Sequence, residues 1–201
     1  MNRLYWKNEM LYDRYLVLVN ASHPYSEEKS IRLLPVCPGE PDILLEERAQ
    51  RQLSLLMEEI GGWEGIVPVS GWRSLQEQQE IFDTSIRESG EEFTRKFVAL
   101  PGCSEHQTGL AIDLALKKEK VDFICPEFPY TGICQKFRER AAAFGFIERY
   151  RREKEVITGI SQEPWHFRYV GTPHAEFMER HGLCLEEYWE MGVKFQLDTE
   201  E

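Results

Sequence analysis

Residues 104–116 read Ser104-Glu105-His106-Gln107-Thr108-Gly109-Leu110-Ala111-Ile112-Asp113-Leu114-Ala115-Leu116. The half from Leu110 to Leu116 alternates only weakly but is apolar enough for a buried strand. The half before it is polar and turn-rich, and it holds one of only five histidines in the chain. In a straight strand, residues seven apart would point to opposite faces and lie more than ~20 Å apart at about 3.3 Å per residue. Gly109 offers the backbone freedom to turn, so that His106 and Asp113 can converge.

Around this stretch, helices and short strands alternate without a clean βαβ rhythm. Arg14 to Val19 and Ile31 to Val36 read as strands, the first running into the turn-prone Asn20-Ala21-Ser22-His23-Pro24. From Asp42 the chain reads as a helix, because Ala49, Leu53, Leu56, Met57 and Ile60 recur at three- and four-residue steps before Gly61-Gly62. Ile66 to Val69 is a short strand. Ser74 and Glu77 form a capping-box pattern that opens a helix to about Arg87, stopped before Gly90, which sets Arg73 just ahead of a helix N-terminus. Cys134 to Phe144 suits a helix ending at Gly145, Phe167 to Val170 a strand, Pro173 the start of a helix, and Leu185 to about Phe195 a last one. There is no glycine-rich phosphate loop and no G-x-S-x-G elbow, so the class is α+β.

The chain has 201 residues, enough for one domain, 1–201, with 42% hydrophobic and 12% aromatic content. At that size about 70% of the unfolded surface is buried on folding, so no disulfide staples are needed. Five cysteines (Cys37, Cys103, Cys125, Cys134, Cys184) with no C-x-x-C pair fit reduced thiols better than a disulfide framework. A net charge of −11 repels phosphate backbones and excludes nucleic acid as a partner. The apolar run Leu16-Val17-Leu18-Val19 is too short for a signal peptide or a membrane span, so the expected location is cytoplasmic. Acidic doublets such as Glu46-Glu47 and Glu186-Glu187 read as solvated surface, and Arg149-Tyr150-Arg151-Arg152 reads as a solvated, Glu-paired loop in preference to a contact for the phosphates of a nucleotide-linked precursor.

The second histidine in a polar setting lies in Glu163-Pro164-Trp165-His166-Phe167-Arg168. Two imidazoles and one carboxylate make a three-ligand set that leaves a fourth tetrahedral position open, as in catalytic zinc sites. Pro164 biases Glu163 toward an extended conformation, so Glu163 and His166 are not an ordinary helical pair and the carboxylate can serve as a base beside the ligand. On spacing alone, His106 and His166 read equally as satisfied core or surface histidines.

The ordered strings Ser104-x-His106-x-x-Gly109-x-Ala111-x-Asp113 and Glu163-x-x-His166 resemble the two signatures of the zinc D,D-peptidases, which include the vancomycin-resistance D-Ala-D-Ala dipeptidases and D,D-carboxypeptidases. The similarity spans roughly residues 64–190. Phe97 to His106 and Gly159 to Gly171 look nearest to the bifunctional dipeptidase/carboxypeptidase subgroup. The resemblance implies a small central antiparallel sheet flanked by helices, Zn2+ held by His106, Asp113 and His166, and Glu163 as catalytic base. It also implies that Arg73, in Ser70-Gly71-Trp72-Arg73-Ser74, stabilises charge on the carbonyl oxygen. Gln78, Ser104 and the segment Phe97 to Ala99 would bind substrate, the segment through its backbone, while Trp165 would wall the pocket or fill core.

The implied substrates are small peptides: free D-Ala-D-Ala, a cell-wall precursor muramyl pentapeptide with that ending, or both. Glycopeptide resistance is the implied physiology. Two alternatives stand beside this reading: a peptidoglycan endopeptidase of the same superfamily, and a catalytically silent zinc-binding module. A cysteine-ligand or thiol-nucleophile role for Cys103 is the weaker chemistry, since the histidines and carboxylates already account for a metal-water mechanism.

Overall fold

The computed structural model describes residues 14–25 and 31–197. Its first paired element is a hairpin of β1 (Leu33–Cys37) and β2 (Glu40–Glu46), antiparallel, with Leu34 opposite Leu45. The expected helix from Asp42 therefore begins only at Glu47. Residues 42–46 pair with β1 instead, and the Glu46 carboxylate caps the following helix by accepting from the Arg48 and Ala49 amides at 2.8 and 3.1 Å. That helix, α1 (Glu47–Ile60), buries Ala49, Leu53, Leu56, Met57 and Ile60 and ends at Gly61 with φ 66°. Its apolar stripe and its stop are those read from the sequence.

The central sheet has four antiparallel strands in the order β3-β4-β6-β5: β3 (Ile66–Ser70), β4 (Ala111–Leu116), β5 (Phe146–Tyr150) and β6 (Glu163–Tyr169). Pro68 is tolerated because β3 is an edge strand with a register shift between Pro68 and Ser70. Ile112 faces Phe167 across β4 and β6, and both are fully buried in the main apolar cluster with Leu114, Phe137, Phe146 and the α1 stripe. Side chains alternate along a strand, so Asp113, His166 and Arg168 share the other face. Asp113 lies directly opposite His166, and Ser70 opposite Asp113.

Between β3 and β4 run α2 (Leu75–Ser89) and α3 (Glu91–Phe97). The Ser74–Glu77 capping box is present in both directions. Beyond β4 come α4 (Gly132–Ala141), the single turn α5 (Glu155–Thr158), α6 (Thr172–His181) and α7 (Leu185–Leu197). Sequence reading did not find β2, α3, β5 or α5. Arg14–Val19 forms no strand: the carbonyls of Tyr15 and Val17 accept from Arg168 Nη2 rather than from a ladder. Among the described residues, no helix is long and apolar enough to cross a membrane.

Candidate metallopeptidase centre

Three elements meet on the polar face of the sheet. A short 3-10 turn, Glu105–Thr108, presents His106 and ends at Gly109, whose φ of 70° sends the chain into β4 and brings Asp113 back beneath it. Neighbouring β6 supplies His166 opposite Asp113 and Glu163 at its start. Glu163 and His166 thus lie on a strand, in agreement with the extended conformation expected from Pro164.

His106 Nε2 is 3.1 Å from Asp113 Oδ2, and His166 Nδ1 is 2.9 Å from Asp113 Oδ1. One ligand atom from each of the three residues lies within 4.8 Å of the others, and all three residues are buried. In a tetrahedral zinc site with bonds of 2.0–2.1 Å, ligand atoms sit about 3.3 Å apart, so these separations and this N,N,O donor set fit zinc. The His106 ring is fixed by a hydrogen bond from Nδ1 to the Gly71 carbonyl at 2.6 Å, which turns Nε2 toward Asp113. Gly71 itself passes so close to β2 that a Cβ would lie 2.2 Å from the Leu44 carbonyl oxygen.

Glu163 Oε2 lies 3.8 Å from His166 Nδ1. Burial, reinforced by the charges of Asp113 and Glu105, outweighs the pull of His166 and Arg73 and pushes the Glu163 carboxyl up to about 8 in the metal-free protein. Burial and then Arg73 hold His106 down at about 4. For His166, burial opposes the charged ring, but Asp113, Glu105 and Glu163 overcome it and raise the group to about 9. Burial works against the Asp113 carboxylate too, yet His106 and His166 hold it well below the usual range. Mutually perturbed titratable groups in one cleft mark a functional site.

Arg73, just ahead of α2, places Nη2 3.8 Å from Asp113 Oδ2, and its Nε is buried without a hydrogen-bond partner. Gln78 on α2 donates to the Ala99 carbonyl at 2.8 Å, while its own Oε1 is buried and unpartnered. All ten residues singled out in the sequence line one cleft: His106, Asp113, His166, Glu163, Arg73, Gln78, Ser104, Phe97, Ala99 and Trp165. Two details differ from expectation. Phe97 closes α3 and the Val98 amide is spent on the Thr94 carbonyl, so less of that segment's backbone is free for a peptide than the resemblance implied. Trp165 fills both roles weighed for it, joining the apolar core while one side lines the cleft.

Glu105 and Tyr150 line the same cleft and were not singled out. The Tyr150 ring lies 4.9 Å from that of His166. Arg149, expected in a solvated loop, is buried: it bonds Glu105 Oε1 at 2.9 Å and both Glu186 oxygens at 2.8 and 2.6 Å. Glu46 and Glu186, expected at the surface, are buried as well. Burying a charge is costly unless it is paired, and these are paired.

Fold and site together are those of a candidate metal-dependent hydrolase, with His106, Asp113 and His166 able to hold an ion in the cleft. The family described as "VanY: D-alanyl-D-alanine carboxypeptidase" matches residues 43–172, and the chain belongs to it. It is 42% identical over 175 residues to the bifunctional D-Ala-D-Ala dipeptidase and D-Ala-D-Ala carboxypeptidase VanXYC of Enterococcus gallinarum, covering 86% of this chain and 92% of that one. Among solved structures it resembles the vancomycin-resistance D,D-dipeptidase VanXYg in complex with a D-Ala-D-Ala phosphinate analogue (TM-score 0.86, 52% identity, 88% of this chain and 70% of that one). It also resembles a mutant of the D,D-pentapeptidase VanY in complex with Zn(II) (TM-score 0.74, 32% identity, 88% of this chain and 99% of that one).

Proposed function

We propose that this chain is a zinc-dependent D,D-peptidase that cleaves the D-Ala-D-Ala bond in the free dipeptide, at the end of a cell-wall precursor pentapeptide, or in both. The observation that carries the reading is the convergence of His106, Asp113 and His166 with Glu163 and Arg73 in one cleft. His106 through Nε2, Asp113 through its carboxylate and His166 through Nδ1 would hold the ion. Bound zinc supplies a Lewis acid that polarises the scissile carbonyl and acidifies water.

Glu163 takes the proton from the attacking water and returns it to the leaving amine. Its carboxyl near 8 in the metal-free protein falls when a dication occupies the adjoining triad, which frees it to act as a base near neutrality. Arg73, charged and with an unused Nε, is placed for the oxygen on which negative charge develops. Gln78 and Ser104 orient the peptide, Gln78 through its unpartnered Oε1, while Phe97, Ala99 and Trp165 shape the walls.

All five cysteines are unbridged, which supports a reducing compartment, and we place the reaction in the cytoplasm, where precursors are made. Removing D-Ala-D-Ala ends there depletes the target of vancomycin-type antibiotics. The test is D-alanine release by the zinc-loaded protein from D-Ala-D-Ala and, in parallel, from a muramyl pentapeptide with the same ending. Release from both defines a bifunctional enzyme, and release from one alone narrows it to dipeptidase or carboxypeptidase. With zinc bound, silence on both substrates refutes the reading.

A further inference from the structure

We propose that Glu105 is a positioning residue that accepts the Nε2–H of His166 and thereby fixes that ring with its Nδ1 turned toward Asp113 and His106. This rests on the zinc reading of the triad. His166 Nε2 and Glu105 Oε2 are both buried without an aligned hydrogen-bond partner, and they face each other at 3.5 Å. Two orphaned polar atoms, one donor and one acceptor, are a costly pair to bury apart. Each is the other's available partner once Nε2 carries the proton.

Glu105 is fixed by what surrounds it. Its Oε1 accepts from Arg149 Nε and from Arg168 Nη1, both at 2.9 Å, which leaves Oε2 for the ring. Arg149 is gripped on its far side by Glu186 of α7, and Arg168 by the carbonyls of Tyr15 and Val17. The carboxylate is therefore clamped between two arginines that are themselves anchored at opposite ends of the described chain. As an ionised carboxylate it can only accept, so it selects the Nε2–H form of His166.

His106 is fixed the other way, its Nδ1–H held by the Gly71 carbonyl at 2.6 Å. With the triad holding an ion, the two rings would take opposite tautomers, leaving His106 Nε2 and His166 Nδ1, the nitrogens nearest Asp113, as the ligand atoms. An outer hydrogen bond of this kind sets the orientation and basicity of a metal-binding histidine. Without a metal, His166 Nδ1 instead donates to Asp113 at 2.9 Å.

The experiment is nitrogen-15 NMR of the histidine-labelled, zinc-loaded full chain, with zinc affinity measured by chelator competition on wild type, Glu105→Gln and Glu186→Gln. In wild type, His166 should appear protonated at Nε2 and metal-bound at Nδ1, with His106 reversed. In Glu105→Gln the single side-chain oxygen serves the arginines and the amide NH2 faces His166 Nε2. The Nδ1–H form is then favoured, and zinc affinity should fall about 10- to 100-fold. Glu186→Gln loosens Arg149 but keeps both Glu105 carboxylate oxygens, and should lower zinc affinity less than Glu105→Gln does.

A role confined to balancing the arginine charges would lower the melting temperature of both variants and leave the His166 tautomer and zinc affinity unmoved, which overturns the proposal. If Glu105→Gln does not fold, the wild-type tautomer still decides: zinc bound through His166 Nε2 refutes it. A wild-type protein that takes up no zinc at this triad removes the functional reading, and this inference with it.

Discussion

Glu163→Gln is the substitution that isolates the proposed proton transfer, because it keeps the volume of the side chain and removes only its ability to take and return a proton. General acid–base groups contribute about 10² to 10⁴ in rate, or roughly 2.7 to 5.5 kcal/mol at 1.36 kcal/mol per decade. The surroundings of Glu163 favour the upper half of that range. Glu163 is only 6% exposed, so bulk water has little access as a substitute base. The carboxylates nearest to it are already engaged, Asp113 with both histidines and Glu105 with Arg149 and Arg168. A loss of about 10³ to 10⁴ in kcat is therefore expected, with KM within a few-fold, since Glu163 acts on the water rather than on the peptide ends. The assay is D-alanine release at saturating D-Ala-D-Ala, with zinc content measured on the same sample. A loss below tenfold with zinc still bound would refute the base assignment. Loss of zinc together with activity would show that Glu163 belongs to the ligand set.

Arg73→Ala should cost about 10² to 10³ in kcat, the size of one oxyanion donor, while the melting temperature stays near wild type; a smaller loss at saturating substrate removes that role. Gly71→Ala drives a Cβ into the Leu44 carbonyl at 2.2 Å and shifts the carbonyl that holds His106, so denaturant unfolding should show a loss of about 2 kcal/mol or more. In the metal-free protein His166 and Glu163 both titrate above their ordinary values. Their contributions are complete below about 6.5 and about 4.5 respectively, and are lost as pH rises through about 9 and about 8. Melting temperature without metal should therefore fall between pH 6.5 and 9, and added zinc should flatten that fall; a flat metal-free profile contradicts the site electrostatics. Burial holds the thiols of Cys125, Cys134 and Cys184 up near 11, so alkylation of the native protein at pH 7.5 should leave these three largely unmodified while denatured protein reacts fully.

The parts of this molecule legible in its sequence are those whose causes are local. The α1 stripe and its Gly61 stop, the Ser74–Glu77 capping box and the turn at Gly109 each depend on residues within a turn or two of one another, and each stands in the structure as read. The proposed ligand residues were picked out by the resemblance and not by spacing, on which His106 and His166 read equally as satisfied histidines. His106 and Asp113 share one turn-and-strand unit, while His166 and Glu163 share one strand, so only a single long-range pairing, β4 with β6, was needed to join them. β2 was missed because Asp42-Ile43-Leu44-Leu45 is too short a run for its period to separate strand from helix, and the stripe that follows supplied a helical signal.

The misread charges show where such reasoning stops. Arg149 stands 44 residues from Glu105 and 37 from Glu186, and Arg168 bonds Val17 across 151, so nothing near either arginine announces a buried partner. Read alone, Arg149 belongs at the surface, because a lone buried charge costs several kcal/mol. That same cost makes the finished cluster specific: removing one member leaves the others buried and unpaired, so the arrangement persists only if all of its elements dock together. Arg149 and Arg168 converge on Glu105, and Glu105 faces His166, a proposed ligand of the candidate zinc site. Docking of α7 and of the Tyr15–Val17 segment is thereby coupled to the geometry of the candidate zinc site, although neither segment supplies a ligand. Substitutions at Glu186, far in sequence from every proposed ligand, should accordingly register in zinc affinity and not in stability alone.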